Sequence, residues 1–248
     1  MKSWPYPRVC AHRGGGTLAP ENTLAAMHTG ARLGHTMVEF DAKLSADNIA
    51  FLLHDDTVDR TSDGHGAAAR LRYDEMSSLD AGSWRDAAFA GERMPTLADV
   101  AACCRELGLA ANVEIKPCPR RDVETGRLVS AEAARLWSGA MPPPLLSSFS
   151  FEALAATCDA APDLPRGLLF ERVPGDWREQ TADLGCVSLH ASHRYLDEAL
   201  VARIKAAGLY ILAYTVNDLD RARLLARWGV DTICTDRIDL IGPHALDA

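Results

Sequence analysis

Short apolar runs recur at 110–115, 144–148, 167–170, 186–189, 210–216 and 231–234, and most are separated by segments of helical periodicity. This rhythm constrains the fold more than any other feature. Near-continuous apolar runs of this length suit strands buried on both faces, and helical crossovers between them make the strands parallel. Two earlier runs, 8–11 and 37–43, bring the number to eight. Eight is the number at which a parallel α/β sheet closes into a (β/α)8 TIM barrel. An open, doubly wound sheet is the alternative, but Gly14-Gly15-Gly16 after the first strand lacks the G-x-G-x-x-G spacing of that fold.

Local signals fix several helix ends. Pro20-Glu21-Asn22-Thr23 opens an Ala/Leu-rich helix that stops at Gly34. Thr96 and Asp99 have capping-box spacing before a helix ending at Gly108, and Asn217-Asp218 starts another that runs to Gly229. The run 49–53 follows 37–43 too closely for a parallel crossover, so the two should pair as an antiparallel hairpin outside the barrel count. Residues 57–94 then lose periodicity. They read as a small insertion after the second barrel strand, with one helix near 73–79, within a single domain spanning 1–248.

Composition narrows the partners. The net charge of −8 comes without a basic stripe, which argues against a nucleic-acid surface or stable membrane association. The first residues, Met1-Lys2-Ser3-Trp4-Pro5, lack the apolar stretch of a secretion signal, so a cytoplasmic address is expected. The seven cysteines form no C-x-x-C pair and fit a reducing compartment as small core residues.

Chemistry in such a barrel belongs at the C-terminal strand ends, and the polar residues obey this. His12 and Arg13 end the first strand, and His54 follows the hairpin. Glu39 and Asp41 lie two apart on the second strand and Glu114 and Lys116 two apart on the third, so each pair shares a face. Glu39, Asp41 and Glu114 would hold one hard divalent cation, Mg²⁺ or Ca²⁺, since unpaired carboxylates in a dry interior are costly. Zinc fits less well because acids outnumber nitrogen ligands. Arg13 and Lys116 would stabilise charge on phosphoryl oxygens, and two histidines would divide the proton transfers of phosphodiester cleavage.

The ordered set His12-Arg13-Gly14, Pro20-Glu21-Asn22-Thr23, Glu39-Phe40-Asp41, His54-Asp55, Glu114-Ile115-Lys116, Thr215-Val216-Asn217 and Thr235-Asp236 resembles the glycerophosphodiester phosphodiesterase family, cytosolic bacterial branch. The resemblance implies hydrolysis of substrates such as glycerophosphocholine and glycerophosphoethanolamine to sn-glycerol 3-phosphate and an alcohol. It implies His12 and His54 as the acid/base pair, and attack by the glycerol hydroxyl next to the ester before water. Tyr214 stands where the family often has Trp, keeping an aromatic wall for the substrate while its phenol adds a hydrogen-bonding tip. Asn22 and Asp55 would orient neighbouring groups rather than react. Two other readings share these residues: a phospholipase D-like or phosphoinositide-cleaving barrel, and a barrel that binds phosphodiesters without turnover.

Overall fold

The structure, a computed structural model, describes residues 3–247. Eight parallel strands form the barrel: β1 (Val9–Ala11), β2 (Met37–Leu44), β4 (Ala110–Ile115), β5 (Leu145–Ser148), β6 (Arg166–Phe170), β7 (Ser188–Ser192), β8 (Tyr210–Tyr214) and β9 (Thr232–Thr235). Pairing of Ala11 with Val38 and of Cys10 with Cys234 closes the sheet through β1. β3 (Ala50–Leu52) pairs antiparallel with β2 and stays outside the ring, as the short connection requires.

Helices α1 (Leu24–Arg32), α3 (Leu97–Leu107), α4 (Asp122–Leu136), α5 (Phe151–Ala160), α6 (Trp177–Asp183), α7 (Glu198–Ala206) and α8 (Leu219–Trp228) surround the sheet; among the described residues no helix follows β9. The caps form as expected. Thr96 and Asp99 bond reciprocally at the start of α3, and Gly108 and Gly229 end α3 and α8 at φ +66° and +106°. None of these helices is long and apolar enough to cross a membrane.

Side chains sort by strand periodicity. Val38 and Phe40 point outward into the layer between sheet and helices, where the Phe40 ring stacks on Trp137 at 6.5 Å. Full burial of a side chain this size stabilises by about 2–3 kcal/mol. Cys10, Met37, Leu145, Leu212 and Cys234 point inward with Tyr6 and fill the lower barrel. The alternation that buries Phe40 thereby turns Glu39 and Asp41 into the barrel's upper interior.

Three elements have bounds two or more residues from those expected. The helix expected near 73–79 is a single turn, α2 (Tyr73–Met76), in a segment that packs Val58, Ala68, Met76, Ala81 and Met94 onto Phe51 and Leu53 of the hairpin. β7 begins and ends later than 186–189: the ladder starts only at Ser188, and the polar interior positions His190 and Ser192 hide its continuation in the sequence. Likewise β8 ends at Tyr214, two residues before the apolar run does.

Candidate active site

The expected residues meet at one mouth of the barrel. His12, Arg13, Glu39, Asp41, His54, Glu114, Lys116 and Tyr214 all line one cavity of about 180 Å³. A strand-end location needs only a short backbone to present a side chain, and β1 supplies it abruptly. Arg13, at φ +50°, leaves the strand in a left-handed turn that aims its N–H at Glu39 Oε2, 3.0 Å away. A side-chain-bearing residue at positive φ is strained, and such strain persists where surrounding contacts hold it. Further along, Gly16 (φ +52°) is required because a Cβ there would lie 2.1 Å from the Asp236 carbonyl oxygen.

Glu39, Asp41 and Glu114 each offer an oxygen within 4.8 Å of the others, and all three side chains are buried. Burial, and then the neighbouring Asp41 charge, pushes Glu39 up to about 8; burial likewise raises Glu114. Asp41 goes the other way. Burial opposes its ionisation, but Arg13, Lys116, His54 and the Asn22 amide together hold it below the usual carboxylate range. Asn22 does this from both sides: its Nδ2 donates to Asp41 Oδ2 at 2.8 Å and its Oδ1 accepts the Asp41 N–H at 3.0 Å. Glu39 Oε1 is buried without a hydrogen-bond partner. An orphaned carboxylate oxygen in an all-oxygen cluster of net negative charge fits a hard divalent cation, and among the described residues no His or Cys joins the cluster.

Both histidines are oriented by carboxylates, though differently. His12 Nδ1 donates to Asp236 Oδ1 at 2.5 Å, and its Nε2 lies 3.7 Å from Glu39 Oε2. His54 Nδ1 donates to Asp55 Oδ1 at 2.7 Å. An ionised carboxylate only accepts, so each imidazole must carry its proton on Nδ1 and present Nε2 to the cavity. Burial lowers His12, yet Asp236 and Glu39 outweigh it and the net shift is upward. For His54 burial prevails and the shift is downward. The Arg13 and Lys116 charges add to that lowering, while Asp41 and the Asp55 hydrogen bond oppose it. Asp55 is also clamped by Arg60, at 2.6 Å from Nε and 3.0 Å from Nη2. Asp236 also accepts from the Asn217 amide, 3.0 Å from its Oδ2.

The two cations are less alike than expected. Lys116 Nζ donates to Glu114 at 2.8 Å, sits 3.7 Å from Asp41, and lies over the Phe149 ring at 5.5 Å. Arg13 is held by Glu21, 2.5 Å from Nη1, and by Asp41, 3.5 Å from Nε. Tyr214 forms the aromatic wall with Phe149, but its hydroxyl donates to the Phe170 carbonyl at 2.7 Å. The phenol tip expected to face a ligand is therefore consumed by backbone.

Four residues of the constellation escaped sequence reasoning as side chains with a role. Glu21, Arg60, Asn217 and Asp236 form its outer ring, and Arg60 bridges Asp55 to Glu21 with two further bonds of 2.8 Å. Asp236 carried a signal, standing just past the last strand end; Arg60 carried none, because its relevance depends on how the insertion folds back. Lys43, third on the Glu39–Asp41 face, is buried and donates to Asp56 at 3.1 Å.

Residues 12–240 match the glycerophosphoryl diester phosphodiesterase family. The YhdW protein of Bacillus subtilis (strain 168) is 32% identical over 240 residues, 94% of this chain and 96% of that one. A glycerophosphodiester phosphodiesterase of Caldanaerobacter subterraneus subsp. tengcongensis is 31% identical over 92% of this chain and 93% of its own. Among solved structures, an Oleispira antarctica phosphodiesterase in complex with the product sn-glycerol-3-phosphate superposes with a TM-score of 0.91, at 36% identity and 98% coverage of both chains. This chain belongs to the glycerophosphoryl diester phosphodiesterase family and is a phosphoric diester hydrolase.

Proposed function

We propose that the chain hydrolyses glycerophosphodiesters, such as glycerophosphocholine and glycerophosphoethanolamine, to sn-glycerol 3-phosphate and an alcohol. The observation that carries this is two imidazoles, each oriented by its own carboxylate, facing one cavity that also holds three clustered carboxylates and a lysine. The relative whose structure contains sn-glycerol-3-phosphate supports the identity of the product.

Glu39, Asp41 and Glu114 would hold a divalent cation, Mg²⁺ or Ca²⁺, which when bound neutralises the phosphoryl oxygens and fixes their orientation. Lys116 adds a second positive group on the Glu114 side. His54, whose burial favours the neutral ring, removes the proton from the attacking oxygen through Nε2. His12, whose imidazolium is stabilised by Asp236, gives a proton from Nε2 to the leaving alcohol oxygen as its bond to phosphorus breaks. Groups whose surroundings push their pKa values apart divide acid and base work in this way. If the neighbouring glycerol hydroxyl attacks first, water opens the cyclic product with both transfers reversed. The cytoplasmic assignment and the absence of stable membrane or nucleic-acid binding remain part of the same reading, consistent with an acidic chain.

Incubation with glycerophosphocholine and glycerophosphoethanolamine should release sn-glycerol 3-phosphate, read by a coupled dehydrogenase assay. Release of a phosphorylated alcohol and free glycerol instead would refute the bond assignment. Binding of substrate by calorimetry with no product would point to a non-catalytic barrel.

Arg60 acts through Asp55 and Glu21 rather than on substrate. Arg60→Ala should lower kcat about 10–100-fold, the usual cost of losing an orienting partner, with little change in KM. Arg60→Lys should restore only a small part, since one ammonium cannot reproduce a fork shared by two carboxylates. Steady-state kinetics on the three proteins checks this; unaltered kcat in Arg60→Ala would remove Arg60 from the constellation.

A further inference from the structure

His54 is followed by two consecutive acids, and a different cation holds each of them. Asp55 is bound by Arg60, which leads on to Glu21 on the β1 side of the mouth. Asp56 is bound by Lys43, whose Nζ donates to Asp56 Oδ1 at 3.1 Å and to the Lys116 carbonyl at 3.2 Å, on the β4 side. Neither the cation site nor the proton transfers involve this second pair.

Lys43 is the third inward residue of β2 after Glu39 and Asp41, and its side chain is only 1% exposed. An ammonium buried this deeply is costly, and an apolar side chain of similar size in its place is often neutral or stabilising. Its partner returns little, because the Asp56 side chain is 57% exposed and an ion pair that reaches water is weak. What the pair supplies is a connection that the sheet does not make. The hairpin reaches only as far as the bond from the Leu53 N–H to the Asp41 carbonyl, and β4 only as far as the bond from the Lys116 N–H to the Ala42 carbonyl. Pro117 brings no N–H to carry the second ladder further. Space rather than packing then separates Asp56 from the β4 end: Lys43 and Asp56 border a cavity of about 370 Å³ that shares Glu114, Lys116 and Phe149 with the catalytic one.

We infer that Lys43 is a positioning residue: its ammonium, anchored on the Lys116 carbonyl, holds Asp56 toward β4 and so fixes the segment that aims His54 Nε2 at the attacking oxygen. The inference rests on the base role proposed for His54 and adds what keeps that base in place. With Arg60 on Asp55 and Lys43 on Asp56, the segment is held from both sides of the mouth.

Lys43→Met keeps the length of the side chain and removes the tie, and Asp56→Ala removes it from the water-exposed end. Each should lower kcat on glycerophosphoethanolamine at least about 10-fold with KM within about 2-fold, since displacement of a reacting group by about 1 Å costs up to about 100-fold. The combined variant should lose no more than about 3-fold beyond Lys43→Met alone. Adding Lys43→Met to His54→Ala should also cost less than about 3-fold, because no imidazole remains to be placed. The Tm of Lys43→Met should match or exceed that of the wild type, as the hydrated Asp56 carboxylate needs no partner. A kcat within about 2-fold of wild type in both single variants overturns the inference and leaves the reaction standing. A loss of about 10-fold in the His54→Ala background also overturns it, since Lys43 then acts on something other than the base. So does a Tm of Lys43→Met lowered by more than about 5 °C, which makes the pair a structural prop. If Lys43→Met does not fold, the kcat of Asp56→Ala decides. No turnover by the wild type, or full activity of His54→Ala, overturns the base assignment and the inference with it.

Discussion

Replacing either His12 or His54 with alanine should lower kcat on glycerophosphocholine by at least about 100-fold, the typical contribution of a positioned acid or base. KM should move little, because neither imidazole is the main anchor for the phosphate. The two losses should differ in kind. Choline is a poor leaving group and needs a proton as it departs, whereas a p-nitrophenolate does not. On the p-nitrophenyl ester of glycerol phosphate, His12→Ala should therefore recover to within about 10-fold of wild type, while His54→Ala should remain about 100-fold down. The distinction rests on the surroundings, since Asp236 and Glu39 favour an imidazolium at His12 while burial favours the neutral ring at His54. Recovery of His54→Ala instead would reverse the two roles, and full activity of both variants would remove the histidines from the mechanism.

Removing divalent cations with EDTA should abolish turnover, and Mg²⁺ or Ca²⁺ should restore it. The same step should change stability in a pH-dependent way. The folded Glu39 carboxyl is raised to about 8, chiefly by burial, above its ordinary value of 4.5. A raised acid contributes stability that is complete below its unfolded pKa and is lost as pH rises through the folded one. The metal-free protein should therefore lose this contribution between about pH 5 and pH 8, and Glu39→Gln, which cannot ionise, should lose none of it. Cation binding needs the ionised form, so affinity climbs over the same window. At a cation concentration of about 100 times Kd the gain is about 2.7 kcal/mol, or roughly 5–10 °C in Tm. Differential scanning fluorimetry near pH 5 and pH 8, with and without cation, checks both signs. A Tm that ignores cations at both pH values would argue against a site at these carboxylates.

Both outcomes depend on residues that are legible in the linear chain. Each of His12, Glu39, Asp41, His54, Glu114 and Lys116 stands at a strand end or on a strand of period two, and local periodicity assigns its face without knowledge of distant contacts. The orienting ring is not legible in the same way. Arg60 reaches Asp55 and Glu21 only because the insertion packs its apolar residues onto the hairpin, a contact between segments with no shared periodicity. His190 reads as the end of its strand, because Ser188, His190 and Ser192 make β7 look polar, although a barrel strand facing a ligand cavity must carry polar residues inward.

The chain by itself therefore determined the barrel, the mouth at which chemistry collects, and the carboxylates and histidines placed there, since alternation along a strand is a local property. Tertiary structure alone decided which carboxylate holds which imidazole. It also turned the Tyr214 hydroxyl to the Phe170 carbonyl and left Asn112 Oδ1 and His190 Nδ1 without hydrogen-bond partners. Those outcomes depend on distances between strands that only closure of the sheet sets, and charge and hydrogen-bond energies fall steeply with distance.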